Sequence, residues 1–252
     1  MSSRNNYYYP NIDGVKFRLK DIKSDEFILM THLGLGDHII LNGLVNHLSE
    51  KFKKIHLTVH TSTINNIEYL YSQNKKVRLI ELTKNDELKT LENYSFKNKL
   101  EILQLGFSNV KKTPFNIAYY RQLKIPYSYS LNKYFKPEDE NKERELQEQL
   151  IKYYSANPSQ IVLIHNESSK GTFELKNIKS NNNIYITKES DIYNNLFLYT
   201  KIISEANEIH CLDSSFLHLV ERTKTNAKLY FHDLFGASVR LSKNWYYVRY
   251  EH

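Results

Sequence analysis

Apolar and polar residues follow one another along the chain in short blocks that predict strands and helices in turn. Residues 27–30 are all apolar, which is typical of a buried strand. Further on, apolar positions recur at helical spacing, at Ile40, Leu44, Val45, Leu48 and Phe52. The residues in between therefore form the turn of a β-turn-α junction, where an α/β protein often carries its functional residues.

The same alternation continues through the first half of the chain. It predicts strands at 54–59, 77–82 and 99–105, and helices at 63–72, 86–93 and 114–123. A series of βαβ units implies a parallel sheet with helices on its faces. The aromatic-rich residues 127–135 show no clear periodicity, so we expect them to be irregular.

A highly charged stretch beginning at Lys136 marks a change of composition. Pro137 and the acidic residues after it suit the first turn of a solvated helix. A second α/β series follows, with strands at 160–165, 183–186, 208–212 and 228–232 and helices at 194–205 and 214–223. We therefore predict two small Rossmann-like domains, 1–135 and 136–252, whose parallel sheets face each other across a cleft.

The first junction, Thr31 to His38, combines two glycines, a carboxylate and two imidazoles. Three of the seven glycines of the protein, Gly34, Gly36 and Gly43, fall within ten residues here. Glycine is needed where the backbone has a positive φ or where another group approaches closely. The simpler alternative is a tight turn that binds nothing.

Two further loops at predicted strand ends carry polar residues. Ser214 and Ser215 open a predicted helix, whose free N–H groups and dipole favour a phosphate. Residues 166–171 offer two hydroxyls and Lys170 beside a glycine, which suits a diphosphate. The alternatives are an ordinary helix cap, a solvated turn and, for His218, a core histidine.

Composition narrows the class of protein without deciding it. The 252 residues carry a formal net charge of +7, but never more than two basic residues are adjacent. This balance suits an anionic small substrate or a membrane-surface acceptor as well as a nucleic acid. No apolar stretch reaches the roughly 18 residues of a membrane span, and the polar start lacks the core of a signal peptide. We therefore expect a cytoplasmic protein, and the single Cys211 excludes an internal disulfide.

Other common sites are disfavoured by the residues themselves. The histidines are scattered, and no His-x-x-x-His pair or Asp-x-Asp box stands at a strand end, so we expect no metal site. The first loop is a poor dinucleotide motif, because position 39 is Ile39 instead of glycine and His56 stands where an acid is expected. A Walker loop is absent.

The sequence Gly-Asp-His-Ile-Ile-x-Asn-Gly-Leu-Val from Gly36 and the later Asp-Ser-Ser-Phe-x-His-Leu from Asp213 resemble GT-B glycosyltransferases of the heptosyltransferase type. In those proteins a Gly-Asp follows the first strand, and the late motif binds the phosphates of the donor nucleotide. The resemblance implies transfer of a sugar from a nucleotide donor, with inversion and without a metal. Ser215 and Phe216 stand where the family has glycine and proline.

The resemblance also implies roles for particular residues. Asp37 corresponds to the proposed catalytic base, with His38 and His32 as alternatives because an imidazole accepts a proton near neutrality. The implied donor-binding residues are His165, Ser169, Lys170, Gly171, Asp213, Ser214, Ser215 and His218. On the acceptor side, the first domain would contribute His32, Gly34, Gly36, Tyr120 and Arg121, and Tyr119 on the same helix either binds acceptor or packs in the core.

The expected partners are a nucleotide-sugar donor and a saccharide or glycolipid acceptor, with no cofactor and no nucleic acid. Two other classes of protein remain as alternatives. A noncatalytic protein of the same fold would bind a nucleotide sugar without turning it over. A nucleic-acid-binding protein would show affinity that falls steeply with salt and no saturable nucleotide-sugar site.

Overall fold

A computed structural model describes residues 14–106, 114–168, 170–236 and 238–250 of the chain. The chain divides into two compact units, Met1–Phe135 and Lys136–His252. Each unit combines one parallel sheet with helices, which confirms the predicted α/β class of two Rossmann-like units. Within the described part of the chain, no helix has both the length and the apolar character that crossing a bilayer requires.

The sheet of the first unit has four parallel strands in the order β3-β2-β1-β4. They are β1 (Glu26–Met30), β2 (Lys54–His60), β3 (Val77–Leu82) and β4 (Glu101–Gln104). Ile28 and Met30 pack on one side with apolar residues that include Leu91, while the neighbouring Phe27 and Leu29 are also fully buried. A strand buried on both faces is typical of a central parallel strand, and explains why residues 27–30 are apolar throughout.

The helices of the first unit are α1 (Leu35–Lys51), α2 (Ile64–Tyr71), α3 (Glu87–Asn98), α4 (Phe115–Gln122) and α5 (Tyr129–Asn132). Helix α1 follows β1 directly and is buried on nearly every side. The short helix α5 lies within the region expected to be irregular. A Cβ atom on Gly43 would lie 2.0 Å from the Tyr129 carbonyl oxygen, so the two helices touch backbone to backbone. The helical turn of α5 is thus packed against α1 by a contact between residues far apart in the sequence, which a local pattern does not reveal.

The sheet of the second unit has five parallel strands in the order β11-β10-β9-β5-β8. They are β5 (Val162–His165), β8 (Asn183–Tyr185), β9 (Glu208–Leu212), β10 (Lys228–Asp233) and β11 (Trp245–Arg249). A small antiparallel hairpin, β6 (Glu167–Ser168) with β7 (Gly171–Thr172), follows β5. The sequence pattern did not predict β11. That edge strand exposes Tyr246 and Tyr247, and the buried Glu221 anchors it by accepting a hydrogen bond from Trp245 Nε1 at 2.6 Å.

The helices of the second unit are α6 (Glu140–Tyr153), α7 (Thr200–Glu205) and α8 (Ser215–Arg222). Asp139 caps α6 by accepting a hydrogen bond from the Lys142 amide, and the charged helix buries Leu146 and Leu150 on one face. The helix predicted at 194–205 is shorter than expected. Asn194 has a φ of +47°, so helical structure begins only with the 3₁₀ turn Leu196–Tyr199 and continues as α7.

Candidate functional site

The first unit places Asp37 in the opening turn of α1, immediately after β1. Gly34 is the residue before the helix, and its φ of −70° is one that any residue can adopt. A Cβ atom on Gly34 would lie 2.7 Å from Asp37 Oδ2. The glycine therefore provides room for the carboxylate to lie against the start of its own helix.

One residue from another element bonds to Asp37, and two more lie around that residue. The Tyr119 hydroxyl on α4 donates a hydrogen bond to Asp37 Oδ1 at 2.5 Å. The His32 ring, after β1, lies 5.7 Å from the Tyr119 ring. A Cβ atom on Gly106, after β4, would lie 2.7 Å from Tyr119 Cε1 and 2.8 Å from His32 Cδ2. We call Asp37, Tyr119, His32 and Gly106 the Asp37 cluster.

The surroundings of Asp37 change its acidity. Burial raises the pKa of the Asp37 carboxyl above its usual range, while the nearby His32 and the hydrogen bond from Tyr119 oppose that rise. Burial and the Asp37 charge together raise the pKa of the Tyr119 phenol, so it stays protonated near neutrality. A carboxylate whose pKa is raised toward the working pH is suited to accept a proton as a general base.

His38, one of the two imidazole alternatives for the base, has a different environment. Its side chain is completely buried, and neither ring nitrogen has a hydrogen-bond partner among the described residues. Burial lowers its pKa to about 4. The ring is therefore neutral at physiological pH and has no exposed surface to offer a substrate. This geometry favours Asp37, which is only partly buried, over His38.

Two predicted acceptor residues on α4 also differ. Tyr120 is completely buried, and its hydroxyl donates a hydrogen bond to the Ile40 carbonyl at 2.8 Å. Such a side chain packs α4 against α1 and reaches a substrate only if the helix moves. Arg121 is exposed on the same helix. The tyrosine that meets Asp37 is thus Tyr119, whose link to that carboxylate the sequence did not indicate.

In the second unit, Ser214 precedes α8 at the end of β9, and its hydroxyl lies 3.2 Å from His165 Nδ1 at the end of β5. The His165 ring stacks on Phe216, with centroids 5.2 Å apart and planes 14° apart. Burial lowers the pKa of His165 to about 4, so the imidazole is neutral. We call His165, Ser214 and Phe216 the Ser214 cluster. Phe216, which departs from the family motif, supplies the surface against which His165 is held.

Ser215 begins α8, and Asp213 and His218 flank this helix start. His218 is buried, and its Nε2 atom lies 4.0 Å from Asp213 Oδ1. Burial and the charge of Arg222 lower the pKa of His218 to about 3, so it is neutral near pH 7. The structure thus places His218 in the core one turn after Ser214, as the alternative of a core histidine describes, and close to the Asp213 carboxylate.

The hairpin of β6 and β7 carries the remaining donor-site candidates. Lys170 is exposed, and its ammonium nitrogen lies 3.7 Å from the centre of the Phe235 ring. Gly171 has a φ of +124°, which a side chain would disfavour. Ser169 lies outside the described residues. The hairpin therefore presents a cation that is held by an aromatic face.

Metal binding requires several ligands within reach of one ion. Among the described residues, no three His, Cys, Asp or Glu side chains come together in this way. The polar chemistry of each unit instead lies in the Asp37 cluster and the Ser214 cluster, both at the carboxyl ends of parallel strands. In open α/β sheets this is the edge at which ligands bind.

No protein-family model matches the sequence. No curated protein matches it significantly. Among solved structures, the chain is similar to the crystal structure of a glycosyl transferase family 9 protein from Veillonella parvula DSM 2008. The TM-score is 0.54 at 10% sequence identity, over 90% of this chain and 87% of that one. At this identity the likeness establishes a shared fold, two Rossmann-like α/β units, along nearly the whole of both chains.

Proposed function

We propose that the protein is a glycosyltransferase that moves a sugar from a nucleotide-sugar donor to an acceptor hydroxyl, with inversion and without a metal. The observation that carries the proposal is the Asp37 cluster, in which a partly buried carboxylate with a raised pKa receives one strong hydrogen bond at the carboxyl end of β1. The shared fold with a glycosyl transferase family 9 protein supports it.

Asp37 acts as the base in this proposal. The acceptor hydroxyl gives its proton to the carboxylate, and the acceptor oxygen forms a bond to the anomeric carbon of the donor sugar. The bond from that carbon to the phosphate oxygen breaks, and its electron pair leaves with the nucleotide diphosphate. Attack from the side opposite the leaving group inverts the anomeric centre. The raised pKa of Asp37 favours proton transfer at neutral pH.

The second unit stabilises the leaving diphosphate. The first N–H groups of α8 and its dipole favour negative charge, and the Ser214 and Ser215 hydroxyls lie at the same end of that helix. The neutral His165 fixes the Ser214 hydroxyl without adding charge. Lys170 supplies a positive charge, and Gly171 beside it leaves the backbone accessible. Asp213 and His218 lie close to each other beside the start of this helix.

The acceptor in this proposal is a saccharide or a glycolipid, bound by the first unit. His32 lies against the Tyr119 ring and close enough to Asp37 to favour its charge, so it is suited to contact the acceptor near its reacting hydroxyl. The exposed Arg121 adds a cation on α4. We leave Tyr120 out of the acceptor site because its side chain is fully buried and its hydroxyl is already bonded. The basic net charge of +7 suits an anionic acceptor or a membrane surface.

The first test identifies the donor and then removes the base. Thermal-shift measurements with UDP-, GDP-, ADP-, CMP- and dTDP-sugars should identify a stabilising ligand, since a ligand at 100 times its Kd adds about 2.7 kcal/mol of stability. With that donor, Asp37→Asn should bind as before and lose about a hundredfold or more in rate, because the amide cannot accept a proton.

Each alternative class of protein gives its own result in this test. Saturable binding of a nucleotide sugar without turnover, for every acceptor tried, would indicate the noncatalytic binding protein. An affinity for nucleic acid that falls steeply with salt, together with no nucleotide-sugar binding, would indicate the nucleic-acid-binding protein. Normal turnover by the Asp37→Asn variant would contradict the assignment of the base.

A further inference from the structure

We propose that Tyr119 is the positioning residue for Asp37: its hydroxyl holds Oδ1, fixes the direction of the carboxylate and keeps it ionised. This proposal rests on the function proposed above, in which Asp37 is the catalytic base. Tyr119 does not touch a reacting atom in this scheme and acts only through Asp37. The bond joins residues 82 positions apart, on α4 and α1.

Tyr119 is held in place on several sides. Its side chain is 1% exposed, and its ring packs edge to face against Phe115 with centroids 6.2 Å apart. On another side it lies against Gly106, whose φ of +92° and close contacts exclude a side chain. The ring therefore has little freedom, and its hydroxyl is delivered to Asp37 by the fold.

The helix that carries Tyr119 is also tied to the end of β4. Gln122 Oε1 accepts a hydrogen bond from the Gly106 amide at 2.9 Å, and Gln122 Nε2 donates to the Gln104 carbonyl at 2.7 Å. These bonds fix α4 against the end of β4, where Gly106 of the Asp37 cluster lies. The distance between the Tyr119 hydroxyl and Asp37 is thereby set by backbone contacts as well as by side-chain packing.

The charges and burial around Asp37 set the direction in which its titration moves when the Tyr119 hydroxyl is removed. Four influences act on the Asp37 carboxyl: burial disfavours its ionised form, while His32, the Tyr119 hydroxyl and the Asp37 backbone amide at the helix start favour it. Because burial also keeps the phenol protonated, Tyr119 remains a donor at neutral and mildly basic pH. Without the hydroxyl, only His32 and the backbone amide at the helix start oppose the effect of burial on the Asp37 pKa. The pKa then rises further, and a larger share of Asp37 is protonated and cannot accept a proton.

The chain offers a matched control on the next residue. Tyr120 is also buried on α4 and also donates its hydroxyl to α1, but to the neutral Ile40 carbonyl. Tyr119→Phe and Tyr120→Phe thus each remove one buried hydroxyl between the same two helices. Only the first removes a hydrogen bond to a carboxylate, so only the first should change the titration of Asp37.

The experiment measures the Asp37 carboxyl titration by ¹³C NMR and the pH dependence of kcat/KM for both variants, with melting temperatures as a check of folding. A hydrogen bond to a charged group corresponds to about one to two pH units. In Tyr119→Phe we expect the acid limb of the profile and the Asp37 titration to move upward by at least about one pH unit, with most of the rate recovered at high pH. Tyr120→Phe should move neither.

An Asp37 titration that is unchanged in Tyr119→Phe, or that moves equally in both variants, would overturn the proposal. If Tyr119→Phe does not fold, the unmodified protein still decides: the Tyr119 hydroxyl proton should exchange slowly with water and shift as Asp37 titrates, and a proton without these properties would also overturn it. The NMR measurement needs no turnover. A titration shift in a protein that transfers no sugar would therefore retain the Tyr119 role and reject the proposed function.

Discussion

Replacing His38 with leucine removes a buried ionisable ring from the first full turn of α1 and keeps a side chain of similar size. The position is completely buried, and both ring nitrogens lack partners among the described residues. Replacing the ring with leucine removes polar atoms whose burial costs free energy without a hydrogen bond to offset it. We expect the His38→Leu variant to be at least as stable as the unmodified protein at pH 7.5, and to retain turnover.

The larger effect appears on acidification. Burial lowers the pKa of folded His38 to about 4, against an ordinary value of 6.5. As the pH falls below 6.5, the unfolded chain binds a proton that the folded chain rejects, so stability is lost progressively until about pH 4. The loss attributable to this residue is about 2 kcal/mol at pH 5 and about 3 kcal/mol below pH 4. The His38→Leu variant should lack this component.

Several histidines of the second unit act in the same direction, since burial lowers the pKa of His165 and His232 to about 4 and that of His218 to about 3. The assay must therefore report on the first unit alone. Hydrogen exchange of the α1 amides between pH 7.5 and 5, corrected for intrinsic exchange rates, reports on the stability of the first unit. A conventional urea titration followed by the whole-chain signal would mix the two units.

Asn42 provides the control, because it lies one turn further along α1 and is equally buried but does not titrate. Asn42→Leu should lower stability by a similar amount at every pH, since it removes the acceptor for the Phe135 amide. A His38→Leu variant with the same pH dependence as the unmodified protein would refute the reasoning about burial. If the His38→Leu variant lost turnover while the Asp37→Asn variant turned over normally, His38 would be the base.

Lys170→Ala and Ser214→Ala should each weaken nucleoside diphosphate binding by about 1 to 3 kcal/mol, measured by calorimetry, because each removes a group that would face phosphate charge in the proposed donor site. Unchanged affinity in both would reject that donor site. Turnover should survive EDTA, and a complete loss that Mn²⁺ or Mg²⁺ restores would contradict a metal-independent reaction. Gly43→Ala should lower the melting temperature by several degrees, because the new Cβ would lie 2.0 Å from the Tyr129 carbonyl oxygen; a fully stable variant would show that α5 can move away.

The strands were the most predictable part of the fold. A parallel strand that is buried on both faces must be apolar throughout, so β1 and β5 are visible as short apolar runs. Edge strand β11 escapes that criterion because its exposed aromatic residues interrupt the pattern, and it depends on the distant Glu221 for its anchor. Helix α7 is shorter than predicted because Asn194 adopts a left-handed conformation that no periodicity reveals.

The candidate site shows the same division between local and distant information. Asp37 could be singled out because its neighbours in sequence, the glycines and the following helix, are also its neighbours in space. His38 was harder to assign, because successive residues on a helix point about 100° apart. One side chain therefore remains partly exposed while the next enters the core. Tyr119 was beyond a local pattern, since its link to Asp37 requires α4 to be packed against the end of β4.

The glycines around Asp37 bear on the alternative of a turn that binds nothing. Such a turn uses glycine where φ must be positive, but Gly34 has a φ of −70°. A Cβ atom there would lie 2.7 Å from Asp37 Oδ2, so a side chain at this position would displace the carboxylate. Gly106, from a different loop, makes room in the same way for Tyr119 and His32. In a chain with only seven glycines, two of them clear space around one carboxylate and its hydrogen-bond donor. Gly106 also has a positive φ, which a simple turn would explain, but Gly34 has none, so the glycine at Gly34 favours a functional carboxylate at Asp37.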